Sequence, residues 1–405
     1  MSTQPPLDGV RVVDFSRVLA GPYCTMNLGD LGADVVKVER PDVGDDLRSW
    51  GPPFAESGES TYFMSVNRNK RSLVADLRSE EGLALARELV AGADVVVENF
   101  RPGVMDSLGL GYDDASAGNP GLVYCSITGF GDTGPLRTQP GYDVILQAMT
   151  GLMSVTGEPD GDPMRVGVAI IDIATGLYAL SGILAALHAR ERDGRGQRLD
   201  LSLLSTGIAS LPNHTAGYLV AGAEPGRLGN QHPNVAPYGV FSAADGDLVL
   251  ACGTDQQWSS LCALMGHPEA GSDERFRDNR GRVVRRDEVQ ALLEEWFSTE
   301  STASLAARLT EAGIPAAPIQ SVPAAVSHEQ VDAAGLLADF TDQDGAATRL
   351  VGNPLTMSAA DLGVRRPPPR LGEHTTEVAL DLGWSAHRIA QAVAIGALQE
   401  SRTRS

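Results

Sequence analysis

The chain has 405 residues, 42% of them hydrophobic and 21% charged, with a formal net charge of −20. That length exceeds one compact core and implies two domains. The acidity argues against nucleic acid and anionic membranes as partners, so an anionic small substrate needs a local cluster of cations or helix N-termini.

In chain order, Met1–Pro6 lacks the basic start and apolar run of a signal peptide. Val10–Phe15 reads as a strand, residues 21–32 as a helix opened by Gly21-Pro22, and Asp34–Glu39 as a second strand. A loop rich in Gly, Pro and Asp follows, from Pro41 to about Gly58. Ser72–Leu77 is strand-like, and Ser79-Glu80-Glu81-Gly82 starts a helix running to about Ala91. Asp94–Glu98 and Leu122–Ile127 complete a set of short β-branched runs between helices. Such alternation predicts an α/β fold with a mainly parallel, doubly wound sheet.

Further on, a long helix is expected after Asp172, ending at the turn Asp193–Gln197, with a second helical stretch over 203–221. Residues 222–246, rich in Gly, Pro and Asn, read as a linker or active-site loop. A smaller αβ unit spans 247–322, with a strand at Leu248–Ala251 and helices near 255–266, 287–298 and 302–313. The expected layout is therefore a large domain over 1–221, completed by a return segment over 323–405, with the small domain between. Residues 374–397 read as helical, and Gln399–Ser405 as a frayed end.

Asp172 follows the small and apolar run Val166-Gly167-Val168-Ala169-Ile170-Ile171. The pattern after it, Leu177 to Leu187, is apolar almost all round and implies a buried helix. That apolar stretch is too short to span a bilayer. A carboxylate at such a helix start either caps it or does chemistry.

Several familiar templates are missing: GxGxxG after a strand, GxxxxGK[ST], HExxH and GxSxG. The seven histidines are scattered without metal-ligand spacing, so no metal site is expected. Cys24, Cys125, Cys252 and Cys262 lack CxxC spacing and read as free thiols of a reducing, cytoplasmic compartment. What remains is a set of strand-end loops: Leu19-Ala20-Gly21-Pro22, Lys37-Val38-Glu39-Arg40-Pro41, Glu98-Asn99-Phe100-Arg101-Pro102 and Thr128–Pro135. Each alone is readable as a tight turn. Together, with Arg40 and Arg101 each just past a strand, they predict a wall around one elongated polar ligand.

Leu28–Pro41, Asn67–Ser72, Val97–Gly103, Ser126–Gly131, Gly194–Asp200, Gly229–Pro233 and Leu371–Thr375 carry a resemblance along essentially the whole chain. In these motifs the sequence resembles the family III CoA-transferases (the CaiB/BaiF family). The resemblance implies a Rossmann-like large domain, a smaller α/β domain, and an interlocked homodimer of ring-like chains. It also implies CoA exchange between an acyl-CoA and a free carboxylic acid, with CoA thioesters as substrates and no permanently bound cofactor. Asp172 matches the family's nucleophile. Carried over by position, Leu19 and Ala20 line the adenine or pantetheine path, Arg40 meets the ADP phosphates, and Ala75 and Arg78 flank the nucleotide. Asn99, Phe100 and Arg101 follow pantetheine, and Tyr142 and Asp143 lie near the thioester. Gly131, Gly134 and Gly141 are candidate oxyanion donors.

Some positions depart from the formyl-CoA transferase branch. Ser107 stands for an Arg, Pro140 for a Lys, and Arg227–Asn234 for a glycine-rich loop, which makes oxalate and formate poor substrate candidates. His232 is a candidate carboxylate ligand or a loop histidine with a local hydrogen bond. The related α-methylacyl-CoA racemases share the Asp but carry Gly-His-Asp where this chain has Gly141-Tyr142-Asp143, and Tyr is a poor base near neutral pH. Transfer is therefore the preferred reading over racemisation, and over CoA binding without catalysis. Dicarboxylic acids such as succinate, malate or mesaconate are plausible substrates.

Overall fold

The computed structural model describes residues 4–341 and 345–401. Residues 1–3 of the expected leaderless start, and 402–405 of the expected frayed end, lie outside these. The chain divides into two compact units. One comprises Met1–Gly151, Val166–Ala216 and Asp332–Ser405; the other comprises Leu152–Arg165 and Gly217–Val331.

The first unit is built on six parallel strands: β1 (Arg11–Asp14), β2 (Asp34–Glu39), β3 (Lys70–Ala75), β4 (Val95–Glu98), β5 (Val123–Thr128) and β6 (Arg198–Ser202). Their order is 3-2-1-4-5-6, and Leu398–Gln399 adds an antiparallel edge to β3. Apart from an exposed first residue in β1 and β2, strands β1 to β4 are buried throughout, because helices cover both sheet faces. One core lies between the sheet and the Glu80–Ala91 helix, joined by Val378, Trp384 and Ile389 of the returning carboxyl-terminal segment. Val12 pairs with Val35 on one side and Val95 on the other, so β1 and β4 diverge to opposite connections. A doubly wound sheet opens a crevice at that reversal, beyond the carboxyl ends of the two strands.

Three elements differ from their sequence reading. The strand β6 was not expected; its Arg-Leu-Asp-Leu-Ser pattern alternates exposed and half-buried positions at a sheet edge, where the apolar run is weak. The stretch 203–221 is two helices, Leu203–Ala209 and Pro212–Ala221, because Pro212 cannot continue the first. Residues 374–397 are likewise split into Thr375–Asp381 and Ala386–Ala394 around Gly383 (φ +85°). Nor does the end fray at Gln399, whose carbonyl accepts from Thr375 Oγ1 at 2.7 Å.

The second unit holds an antiparallel sheet of Tyr238–Ala243, Gly246–Ala251 and Ala316–Pro318. Trp258, Leu293, Phe297 and Leu309 pack into its core. Part of the segment read as linker, residues 238–243, is thus a strand.

The long helix runs from Ile170 to Asp193, so it starts before Asp172. At 24 residues it is long and apolar enough to cross a membrane, unlike the shorter run read from the sequence. It is not buried all round. Ile171, Thr175, Ala179, Ile183 and Ala186 face inward, whereas Leu177 and Tyr178 are exposed. It packs against the Ala20–Asp30 helix at Gly176, where an added Cβ would lie 2.7 Å from the Ala20 carbonyl oxygen. Gly176→Val should therefore force the two helices apart and cost about 1–3 kcal/mol of unfolding free energy. Denaturant unfolding checks this, and a variant as stable as the wild type contradicts it.

Candidate active site

The loop Ser16–Leu19 leaves β1 and forms one wall of the crevice. It is held from below by buried charge. Lys37 Nζ, at the end of β2, pairs with Asp45 at 2.8 Å and donates to the Ser16 carbonyl at 2.8 Å. Asp45 Oδ1 in turn accepts from the Val18 and Leu47 amides at 3.1 and 3.0 Å. This network maintains Val18 at φ +66°, a left-handed conformation unfavourable for a β-branched residue. From β4, Asn99 clasps the same loop: its Oδ1 accepts from the Arg17 N–H at 2.9 Å, and its Nδ2 donates to the Arg17 carbonyl at 2.7 Å. The side chain expected to follow a ligand thus joins the two halves of the crevice.

A cavity of about 240 Å³ opens there. Leu19, Ala20, Asn99, Phe100, Arg101, Tyr142 and Asp172 all line it. A neighbouring cavity of about 560 Å³ shares Arg17 and Phe100 with it, and is lined by Arg40, Ala75 and Arg78. The structure therefore sorts the sequence candidates into two adjoining pockets along the strand ends. Arg40 is paired with Asp46 and donates to the Gly44 carbonyl at 3.0 Å, so its guanidinium is already occupied. Arg78 pairs with Asp76 at 2.9 Å in solvent.

Asp172 is the third residue of its helix, not its cap. The residue before the helix, Ala169, has no side chain to cap with. Asp143 supplies what is missing. Its Oδ1 accepts from the backbone N–H of Ile171 at 2.8 Å and of Asp172 at 3.2 Å. Two of the unsatisfied donors at a helix start are thereby met by a carboxylate from outside the helix. Gln147, one turn on and fully buried, donates to Asp143 Oδ2 at 2.5 Å and accepts from the Val166 N–H at 2.8 Å. Asp143 is itself buried and does not line the cavity. Asp143, expected near the thioester, is held against the backbone amides of Ile171 and Asp172.

Burial raises the Asp172 carboxyl to about 7, and the negative charge of Asp143 pushes in the same direction. Tyr62 neighbours both: burial raises its hydroxyl, and the Asp172 and Asp143 charges add to that. No sequence motif marked Tyr62 or Gln147; both follow from packing between distant segments.

Of the three glycines expected as oxyanion donors, Gly141 lines the cavity, while the Gly131 N–H donates to Thr128 Oγ1 at 2.9 Å. Gly141 lies against Gly129 so closely that a Cβ on Gly129 would sit 2.7 Å from the Gly141 Cα. His232 belongs to the second unit, where its Nδ1 accepts from the Asn234 N–H at 3.1 Å and its ring lies 5.1 Å from that of Tyr238. This is the local hydrogen bond named as one of its two readings.

A partly desolvated carboxylate, fixed at a helix start and facing a cavity, has the chemistry to attack a carbonyl carbon without a proton acceptor. Its raised titration also has a consequence for stability. A carboxyl whose folded pKa lies above its ordinary 3.8 stabilises the fold while protonated, and that contribution is lost as pH rises through about 7. Asp172→Asn should thus gain stability relative to the wild type between pH 5 and pH 8, on the order of 2 kcal/mol. Denaturant unfolding at the two pH values measures it; an unchanged difference refutes the burial of that charge.

Comparison with known proteins adds four findings. A family model described as CoA-transferase family III matches residues 7–375. The succinate–glutarate CoA-transferase of Agrobacterium fabrum is 46% identical over 384 residues, covering 94% of this chain and 96% of that protein. The succinyl-CoA:glutarate CoA-transferase of Mus musculus is 42% identical, covering 98% and 92%. Among solved structures, a CaiB/BaiF family protein from Brucella suis superposes with a TM-score of 0.83 at 45% identity, covering 94% of this chain and all of that one.

Proposed function

This chain belongs to CoA-transferase family III, and from that premise we propose that it moves CoA between succinyl-CoA and a short dicarboxylic acid, glutarate foremost, through Asp172. The observation that carries the mechanism is the placement of the Asp172 carboxylate in the crevice, backed by Asp143. The choice of acids rests on the names of the relatives at 46% and 42% identity.

The steps balance without a proton. The Asp172 carboxylate attacks the thioester carbonyl, giving a mixed anhydride and expelling CoA thiolate. The thiolate attacks the aspartyl carbonyl, giving an aspartyl-CoA thioester and releasing the first acid. The second acid attacks that thioester to form a new anhydride and free thiolate. The thiolate then takes the new acyl group and restores the carboxylate. Each covalent stage divides one exchange into smaller barriers. The Gly141 backbone at the cavity wall is suited to meet the oxyanions. The larger cavity beside Arg40, Ala75 and Arg78 is read as the nucleotide end of CoA, and the Asn99–Arg101 loop as the wall of its pantetheine arm.

We read the exposed apolar face formed by Val144, Ile145, Met149, Leu177, Tyr178 and Ile208 as covered by a second copy, in the interlocked homodimer the family resemblance implies. Sedimentation at twice the chain mass of 42.6 kDa is the expected result, and a stable monomer the contrary one.

Asp172→Ala should lose transfer by at least about a thousandfold while CoA binding persists, since the nucleophile goes and the nucleotide walls stay. Acyl-CoA exchange assays with calorimetric CoA titration check both. Near-normal exchange removes the assignment. In the wild type, kcat/KM should fall about tenfold per pH unit below about 7, because protonated Asp172 cannot attack while the acids remain ionised. A profile flat down to pH 5 contradicts an essential carboxylate with that titration.

A further inference from the structure

Three guanidinium groups line the cavity that holds Asp172: Arg17, Arg101 and Arg137. Arg17 is committed, with Asp46 at 3.5 Å and the Phe100 ring centroid at 5.3 Å. Arg101 and Arg137 are exposed and have no side-chain hydrogen bond or ion pair among the described residues. The adjoining larger cavity is different. Its Lys37, Arg40 and Arg78 are matched by Asp45, Asp46 and Asp76. In a chain of net charge −20, unmatched positive charge is therefore concentrated beside the reacting carboxylate, where a substrate anion would need it.

The two free cations belong to different loops of that cavity's wall, after β4 and β5 respectively. Arg101 follows Phe100, the residue shared with the larger cavity. Arg137 lies on the loop after β5 with Gln139, Gly141 and Tyr142, the segment that leads directly into Asp143 and hence to the Asp172 amide. A dicarboxylic acid brings one carboxylate to the reacting centre and a second a few carbons away; a monocarboxylic acid of equal length ends there in a methyl group. Building on the transferase reading above, we propose that Arg137 receives the distal carboxylate of the acyl group and makes the enzyme selective for dicarboxylic acids. A guanidinium can bind that carboxylate through two parallel hydrogen bonds, and Gln139 on the same loop offers an amide donor. Arg137 acts on selectivity; the chemistry stays with Asp172.

The test is a competition in one vessel. The full-length protein, with succinyl-CoA as donor, is given equal glutarate and valerate, and the ratio of glutaryl-CoA to valeryl-CoA is read by mass. Both products arise from the same aspartyl-CoA intermediate, so any effect on the donor cancels. The wild type should favour glutaryl-CoA strongly. Arg137→Ala should lower the ratio at least tenfold, Arg137→Lys should retain part of it, and affinity for free CoA should be unchanged in both. Arg137 is exposed on a loop, so the variants should unfold at the wild-type denaturant midpoint. A ratio unmoved in Arg137→Ala, or a wild-type ratio near one, overturns the assignment of Arg137 and leaves transfer itself standing. If the wild type exchanges CoA with neither acid nor succinate, the transferase reading fails, and this one with it.

Discussion

The site depends on one carboxylate doing a neighbour's capping. The Ile170–Asp193 helix begins at Ala169, which cannot satisfy its first amides, and Asp143 accepts from Ile171 and Asp172 instead. The same charge that favours the helix start disfavours a second charge beside it. Burial first, and the Asp143 charge second, keep Asp172 hard to ionise, while the bond to its amide fixes its position. Gln147, wholly buried, ties this pair to the Val166 amide and the Val168 carbonyl, so the chain entering the helix is held by the same contacts.

Topology supplies the rest. The strand order turns at β1 and β4, and the Asn99 amide bridges the two loops that leave them. Buried Lys37 and Asp45 fix the first loop, including its strained Val18. Two of the crevice's wall loops are thus fixed by hydrogen bonds from Asn99, Lys37 and Asp45 rather than by loop sequence. Its two pockets differ in charge: pairs fill one, and free guanidinium groups remain in the other.

Much of this was legible in the chain. The apolar β-branched runs gave β1 to β5 within a few residues, and Ser79 marked its helix start, accepting from the Gly82 N–H as a cap does. Asp172 stood out because a carboxylate in an apolar run needs a reason. Other features were hidden for physical causes. β6 is an edge strand with polar alternation, and Pro212 and Gly383 divide helices whose apolar pattern continues across the break. The roles of Asp143 and Asn99 could not be read locally, since each bonds to backbone 28 or 82 positions away. Arg40 looked like a free cation from its position after β2; its partner Asp46 lies six residues on, in a loop without periodicity. Arg137 carried no motif at all.

The most direct test of a covalent role for Asp172 follows the oxygen. In the proposed sequence the acceptor's attacking oxygen ends in the regenerated aspartate. Turnover with an acceptor acid labelled with heavy oxygen, followed by proteolysis and mass measurement, should place the label in the peptide containing Asp172 and leave the Asp143 peptide unlabelled. An unlabelled Asp172 peptide after many turnovers would mean that acyl groups pass directly between the two substrates, and would contradict the account.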